Sequence, residues 1–216
     1  MRAVAHIFDA GKGNGFVAKG LMKVGWKVVL VKPSFVGARN ARKRGLQHVV
    51  CATTQAAGFK PGSMPAIGAF DVVEHIEDDV GFLRHLHDLL EPGGMLYLTV
   101  PAYNFLWSEA DILAGHHRRY TVCALKAKLR AAGIKVTFDT YFFRLLPLTI
   151  FLRRSLFYLL KIRSETDKPE NVKRDHGKNM GVKKSMMQWI LSLELNLIRQ
   201  GKQAAFGSSC LVAGQK

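Results

Sequence analysis

The stretch HIFDAGKGNGF, residues 6–16, limits what this chain can fold into more than any other part of the sequence. A short apolar run ends at Asp9, and glycines then occupy every second position, at Gly11, Gly13 and Gly15. Glycine has no side chain and adopts backbone conformations that other residues avoid, so the chain can pass close beneath a ligand there. A helical pattern begins directly afterwards. A strand that leads through a glycine-rich turn into a helix predicts a nucleotide-type site on an α/β sheet.

The patterns that follow fit such a sheet. KVVLV at 27–31 predicts a buried strand, and a helix is predicted over 34–45, capped by Ser34 and closed by Gly45. Strands alternating with helices at this spacing predict right-handed βαβ units and a parallel sheet. The other predicted elements are strands at 48–53, 64–70, 95–101, 135–143 and 206–216, and helices at 15–24, 78–94, 121–133 and 185–198.

The spacing of the glycines argues against two common nucleotide motifs. A dinucleotide fingerprint would need its last glycine at position 16, which is Phe16, and the Gly-Lys-Ser/Thr of a phosphate loop is absent. A carboxylate at Asp9 can accept hydrogen bonds from an ammonium group. Together with the bare turn, Asp9 favours the amino-acid half of S-adenosylmethionine as the ligand.

Five segments in order carry a resemblance to a known family: DAGKGNGF, AIGAFDVVEHIEDD, LLEPGGMLYLTVPAYNFLWS, GHHRRYT and FGSSCLVAGQK. The sequence resembles the class I S-adenosylmethionine-dependent methyltransferases, in particular the small-molecule type with an EHI motif after the fourth strand. The resemblance implies a doubly wound, Rossmann-like α/β sheet of seven strands. Their implied order is 3-2-1-4-5-7-6, with strand 7 antiparallel, and S-adenosylmethionine is the implied cofactor.

The resemblance places the cofactor over the carboxyl ends of the strands, at the switch point of the sheet. The implied contacts are Asp9, Gly11, Gly13 and Gly15 for the methionine part, Lys32 for the ribose, Thr53 and Thr54 for the adenine, and Phe70 and Asp71 beside the sulfonium and amino group.

Lys32 departs from the family's pattern. An acid is expected about 20 residues past the glycines, where it would accept hydrogen bonds from the ribose hydroxyls. Lysine can only donate, and losing such contacts would cost roughly 2–4 kcal/mol. Three explanations stay open: weak but adequate cofactor binding, a binding protein that has lost methylation, or a more anionic ligand.

Two segments at the same rim of the sheet offer groups for chemistry. Glu74 and His75 follow the fourth strand, and His75 is expected to act as the base toward a hydroxyl or a weakly acidic carbon. The alternative is that this pair caps the next helix. The expected substrate-binding residues are Tyr103, His117, Arg118, Arg119 and Tyr120.

The arginines of the segment AGHHRRYT, 114–121, are expected to clamp a carboxylate or phosphate of the substrate. The alternatives are ion pairs with Glu109 or Asp111 for the arginines and simple packing for the aromatic residues. No carboxylate spacing accompanies the two adjacent histidines, so no metal site is predicted.

The excess of basic residues indicates which kinds of partner the chain could attract. Basic residues outnumber acidic ones by 32 to 16, and the excess is marked in residues 144–216. Such a surface attracts polyanions, or is merely a solvated face. Nucleic acid is not expected, because the basic residues do not alternate with aromatic ones in a stacking platform. The apolar run 145–162 contains Arg153 and Arg154, which argue against a membrane span and leave a core, lid or interfacial helix.

The sequence as a whole predicts a single methyltransferase domain over 1–216, with a helical or loop insertion at about 145–200. The expected activity is methyl transfer to a small-molecule or lipid-linked acceptor, by a monomer or homodimer that contacts anionic membranes peripherally. The alternative is an inactive methyltransferase scaffold. Three widely separated cysteines and the lack of a signal-peptide pattern predict a cytoplasmic location.

Overall fold

The computed structural model describes residues 6–11, 15–145, 147 and 191–216. Seven strands form one sheet in the order β3-β2-β1-β4-β5-β7-β6. Neighbours from β3 to β5 are parallel, and β7 is antiparallel to both β5 and β6. The predicted topology is therefore confirmed. The strands are β1 (His6–Asp9), β2 (Lys27–Val31), β3 (His48–Val50), β4 (Met64–Phe70), β5 (Leu90–Pro101), β6 (Lys135–Phe142) and β7 (Ser209–Gln215).

In the described segment 15–145, five α-helices connect the strands; one begins at the predicted cap Ser34, and another at Thr121, where a helix start was predicted. The Gly37 N–H donates to Ser34 Oγ at 3.2 Å, and the Ala124 N–H donates to Thr121 Oγ1 at 3.1 Å. These bonds satisfy amides that have no partner within the first turn. The helices are α1 (Phe16–Lys23), α2 (Phe35–Lys43), α3 (Asp79–Leu89), α4 (Glu109–Ala114) and α5 (Val122–Ala131), with 3-10 turns at Val73–His75 and Asn104–Leu106.

The core lies in two apolar clusters. The larger one joins α3 and α5 to β4, β5 and β7, and includes Leu83, Leu86 and Leu89 on one face of α3. The smaller one packs α1 and α2 on β1 and β2. This packing fixes the carboxyl ends of the strands relative to one another, which is where the site forms.

The helix predicted over 78–94 is shorter in the structure. It ends at Leu89, and Leu90 is already extended and pairs with Met64 in the neighbouring strand. Two features end the helix here: Pro92 disfavours a helical conformation at Glu91, and Leu90 pairs with Met64 in the sheet. β5 consequently starts at Leu90 rather than at 95, and the strand predicted over 48–53 likewise ends early, at Val50.

Most of the predicted insertion, 145–200, lies outside the described residues, and so do Arg153, Arg154 and most of the apolar run 145–162. Of the helix predicted over 185–198, the described part is helical from 191 to 199. In the described part of the chain, no helix has the length and apolar character needed to cross a bilayer.

Candidate cofactor and acceptor site

A cavity of about 250 Å³ opens at the carboxyl ends of β1, β2 and β3. Ligands of doubly wound sheets bind at this edge. Apolar side chains form most of the wall, and the segment after β3 adds hydroxyl and amide groups. The lining residues are Ala10, Gly11, Val31, Pro33, Ala52, Thr53, Thr54, Gln55, Val72, His75, Ile76 and Phe82.

Asp9 ends β1, directly before two of the lining residues. Its side chain is 2% exposed, and its Oδ1 atom has no hydrogen-bond partner among the described residues. Burial raises the pKa of Asp9 to about 7, and the positive charge of Lys32 partly opposes that rise. A buried acceptor atom without a donor fits the ammonium group of an amino acid, as the resemblance implies.

Gly11 and Gly15, which follow β1, lack a side chain for different structural reasons. A methyl group built on Gly11 would come within 3.0 Å of Asp9 Oδ1 and 3.3 Å of Leu30 Cδ1, so a side chain there would press on the carboxylate. Gly15 has a φ of 78°, and a methyl group on it would lie 2.9 Å from Ala41 Cβ. Gly11 therefore keeps the ligand side open, whereas Gly15 permits the packing of α1 on α2. Gly13 lies outside the described residues.

Lys32, assigned to the ribose, is not among the residues that line the cavity, although its neighbours Val31 and Pro33 are. The side chain is 2% exposed, and a methyl group on Gly37 would overlap its ammonium group. Burial lowers the pKa of Lys32, and the negative charge of Asp9 opposes that effect. The lysine charge thus acts on Asp9 from within the protein, and the ribose assignment stays a prediction.

The remaining implied cofactor residues divide into two pairs. Thr53 and Thr54, assigned to the adenine, line the cavity, whereas Phe70 and Asp71 do not. Asp71 has a φ of 53° and accepts a hydrogen bond from Thr99 Oγ1 at 3.1 Å. The structure brings the threonines to the same cavity as Gly11 and holds Asp71 against β5.

His75 also lines the cavity, from the 3-10 turn after β4. Its Nδ1 lies 3.0 Å from the carbonyl oxygen of Gly115. A carbonyl only accepts, so Nδ1 carries the proton of the neutral ring and Nε2 carries the lone pair. Nε2 lies 3.9 Å from Oε1 of Glu74, which is 1% exposed. Nε2 is therefore the atom of His75 that can take a proton, and the assignment of this pair to catalysis stays a prediction.

Asp79, which the sequence analysis did not single out, anchors three side chains. Arg118 Nη1 lies 2.9 Å from Asp79 Oδ2, the Tyr120 hydroxyl donates to the same oxygen at 2.8 Å, and Lys128 Nζ donates to Oδ1 at 2.9 Å. Burial alone would raise the pKa of Asp79, but these donors hold it below its usual value. Arg118 and Tyr120 therefore tie the loop 114–121 to α3.

Asp111 is the second buried anchor of that loop. Arg119 donates to it twice, Nε to Oδ1 at 2.8 Å and Nη2 to Oδ2 at 3.0 Å, and His116 Nδ1 lies 2.8 Å from Oδ1. Burial opposes ionisation, yet Arg119, His116 and Ser108 together lower the pKa of Asp111. The alternative of an Asp111–Arg119 ion pair is thus what the structure contains. A substrate role for either arginine stays a prediction.

Tyr103 lies in an aromatic cluster beyond the end of β5 and is not among the cavity-lining residues. Its ring stacks on Tyr141 at 5.0 Å between centroids, and on Phe105 and Phe206 at 5.2 Å each. His117 donates its backbone N–H to the carbonyl oxygen of Glu74 at 2.8 Å. Neither contact tests whether these residues bind the acceptor.

Residues 2–137 match the sequence profile of a family described as "Methyltransferase domain". This chain belongs to that family. Among curated relatives, the ubiquinone biosynthesis O-methyltransferase of Methylocella silvestris is 34% identical over an aligned length of 126 residues, with a coverage of 54% of this chain and 49% of that protein. The chain thus spans about half the length of this relative.

Solved structures share the fold at lower sequence identity. A SAM-dependent methyltransferase from Archaeoglobus fulgidus aligns with a TM-score of 0.61 and 15% identity, covering 100% of this chain and 87% of that one. The phosphoethanolamine N-methyltransferase 2 of Haemonchus contortus, solved with S-adenosyl-L-methionine, aligns with a TM-score of 0.57 and 16% identity, covering 100% and 49%. At these identities the likeness shows the class I methyltransferase fold.

Proposed function

We propose that this chain transfers the methyl group of S-adenosylmethionine to a hydroxyl of a small or lipid-linked molecule. The observation that carries the proposal is one cavity that is lined both by Ala10 and Gly11, directly after β1, and by His75. The oxygen acceptor is taken from the Methylocella relative, whose name specifies an O-methyltransferase. That relative is named as an enzyme, which lends no support to the alternative of an inactive scaffold.

The residues at the end of β1 fit the amino-acid half of the cofactor. The buried Oδ1 of Asp9 accepts a hydrogen bond from its ammonium group, and Gly11 keeps the approach open. The apolar wall formed by Val31, Pro33 and Phe82 suits a flat base, and the polar segment after β3 suits ribose and adenine edges. When bound, the cofactor supplies an electrophilic methyl group on a cationic sulfur.

Methyl transfer by displacement depends mainly on holding the acceptor atom in line with the sulfur, so positioning contributes most of the acceleration. A hydroxyl acceptor also loses a proton. Nε2 of His75 takes that proton, since Nδ1 is already committed to Gly115 O. The carbonyl of Gly115 thereby acts as the positioning group that fixes the ring and its tautomer.

The burial of Lys32 suits this assignment. A lysine facing the cavity would repel the sulfonium, but Lys32 is not among the lining residues. Binding of the ammonium group to Asp9 would add a second cation beside Lys32, so cofactor affinity reflects a balance of these charges. The excess of basic residues in 144–216 suits peripheral contact with anionic membrane, and we include that contact, a cytoplasmic location and a monomeric or homodimeric state in the proposal.

Titration calorimetry with S-adenosylmethionine tests the cofactor site directly. Gly11→Val is expected to weaken binding about 10- to 100-fold, because overpacking a close contact costs about 1–3 kcal/mol. Gly20→Ala is the matched control, since a methyl group there meets no atom within 4 Å. Equal affinities for the wild type and Gly11→Val would show that the cofactor does not bind in this cavity.

A second arm of the same measurement separates the open explanations for Lys32. If the wild type binds the cofactor and Lys32→Glu changes its affinity little, the ribose is held by other groups. If only Lys32→Glu binds, the chain is an inactive scaffold, and the proposed activity is wrong. Incorporation of radiolabelled methyl into small hydroxyl compounds then tests transfer itself.

A further inference from the structure

We propose that Glu74, His75 and His116 form a binding site for a divalent transition-metal ion of the zinc class. Each of the three offers one ligand atom, and these atoms all lie within 4.8 Å of one another. Glu74 and His75 are neighbours in the 3-10 turn after β4, while His116 comes from the loop after α4. This inference goes beyond the methyl transfer proposed above and does not depend on it.

The hydrogen bonds of the two histidines orient both rings for metal binding. Nδ1 of His75 faces the Gly115 carbonyl at 3.0 Å, and Nδ1 of His116 faces Asp111 Oδ1 at 2.8 Å. Both partners are acceptors, so each neutral ring is protonated at Nδ1 and carries its lone pair on Nε2. Metal-binding histidines are held in this way, with the far nitrogen donating to a carboxylate or a carbonyl.

The carboxylate behind His116 is firmly held. Asp111 is 1% exposed, receives two hydrogen bonds from Arg119 and accepts one from the Ser108 N–H at 2.9 Å. These contacts keep Asp111 ionised and hold its Oδ1 atom, which also receives Nε of Arg119, against Nδ1 of His116. The His116 ring is therefore fixed before any ion arrives, which lowers the entropic penalty of binding.

The two elements that carry the ligands are also fixed to each other. The His117 N–H donates to the Glu74 carbonyl at 2.8 Å, and the rings of His75 and His116 meet edge to face at 4.6 Å between centroids. Glu74 is 1% exposed, and the side chains of His75 and His116 are 12% and 16% exposed. The cluster is thus a partly enclosed site in which small side-chain movements suffice for coordination.

The donor set indicates the kind of ion. Two imidazole nitrogens and one carboxylate suit zinc and related ions, with bonds of about 2.0–2.2 Å, better than magnesium or calcium, which prefer oxygen. Three protein ligands leave a fourth position for water or another oxygen. Because His75 lines the cavity, the ion would lie at the cavity wall. It would occupy the Nε2 atom that the base role needs, so ion-loaded and ion-free protein differ in what His75 can do.

The test uses full-length, tag-free protein stripped with a chelator. Calorimetry with Zn²⁺ is expected to show one equivalent bound, and His116→Gln is expected to weaken binding about 10- to 100-fold or more. His87→Gln is the matched control, because His87 also pairs with a carboxylate, Asp88 at 3.2 Å, but lies outside the cluster. Its affinity for Zn²⁺ should equal that of the wild type.

Cobalt substitution of the wild type gives an independent reading that needs no variant. An intense visible absorption from tetrahedral Co²⁺, lost in Glu74→Gln, supports the site. Absence of Zn²⁺ binding, or equal Zn²⁺ binding by the wild type, His116→Gln and Glu74→Gln, overturns the proposal. Cofactor binding is measured separately on the stripped protein, so failure of the metal site leaves the methyltransferase proposal standing, and the reverse also holds.

Discussion

The buried ammonium group of Lys32 stabilises the charged form of the buried carboxylate of Asp9. Both side chains are 2% exposed, at the carboxyl ends of adjacent parallel strands. Burial still dominates and raises the pKa of Asp9 to about 7. A carboxylate that is only partly ionised near neutral pH, beside a site for a cationic ligand, makes both stability and ligand binding depend on pH.

Asp9 is expected to lower the stability of the fold as the pH rises. Its pKa changes from 3.8 when unfolded to about 7 when folded. Between these values the folded state holds a proton that the unfolded chain has lost, so the free energy of unfolding falls with pH and levels off above about 7. Asp9→Asn should therefore gain stability on the order of 2–4 kcal/mol over the wild type at pH 8, and less than half of that at pH 5. Urea unfolding at both pH values measures this difference, and an equal difference at both would contradict it.

The same titration predicts how S-adenosylmethionine binding depends on pH. The ammonium group of the cofactor needs the ionised carboxylate, so binding should release a proton below pH 7 and strengthen about tenfold per pH unit at most. Calorimetry in two buffers of different ionisation enthalpy counts that proton. Asp9→Asn should bind weakly at every pH and release none. Proton release by Asp9→Asn equal to that of the wild type would assign the titration to another group.

Lys32 and Asp9 should be energetically coupled in a pH-dependent way. A double-mutant cycle of Asp9→Asn and Lys32→Met is expected to give a coupling of about 1–3 kcal/mol at pH 8, where Asp9 is charged, and little at pH 5. Thermal or urea unfolding of the four proteins gives the coupling. Lys27→Met, an exposed residue of the same strand, is the control for loss of one positive charge.

Arg119 is expected to matter for stability whether or not it contacts a substrate. Arg119→Met would leave the buried Asp111 without its two-point partner, and breaking a buried pair in this way costs about 3–5 kcal/mol. Arg130→Met, an exposed arginine at the end of α5, should change stability by less than about 0.5 kcal/mol. Urea unfolding distinguishes the two, and similar small losses would mean that Asp111 finds other donors.

Tyr120→Phe separates a structural hydroxyl from one that binds the acceptor. Removing the hydrogen bond to Asp79 Oδ2 should lower the free energy of unfolding by about 1–3 kcal/mol, because the acceptor is buried. If the hydroxyl only anchors the loop 114–121, KM for the acceptor stays unchanged. Tyr97→Phe, whose ring packs edge-on against Trp26, is the control. A raised KM with unchanged stability would restore the substrate role.

Much of the fold could be predicted because its signals are local. The buried strand at 27–31, the Ser34 cap and the start of the helix at Thr121 all follow from side-chain periodicity and short-range hydrogen bonds. The errors lay at boundaries, as at Leu90, where pairing with the neighbouring strand outweighed the helical pattern. The strand order came from the family resemblance, since periodicity does not specify which strands become neighbours.

The candidate site likewise contains residues that the sequence predicted and contacts that it did not predict. The family resemblance assigned Asp9, Gly11, Thr53 and Thr54 to the cofactor, and His75 was predicted from its place after the fourth strand. All five lie near the carboxyl ends of parallel strands, which meet at one edge of the sheet. The pairing of Arg118 with Asp79 was not predicted, and that of Arg119 with Asp111 was only one alternative, because these contacts depend on how separate segments pack.

The sequence by itself determined the sheet, the bare turn after Asp9 and the anomaly at Lys32, because these depend on residue type and short spacing. Tertiary structure alone decided that Lys32 is buried against Gly37 beside Asp9, and that His116 meets Glu74 and His75. The physical reason is that charge pairing and ligand convergence depend on distances of a few ångströms between segments far apart in the chain, which only packing of the core establishes.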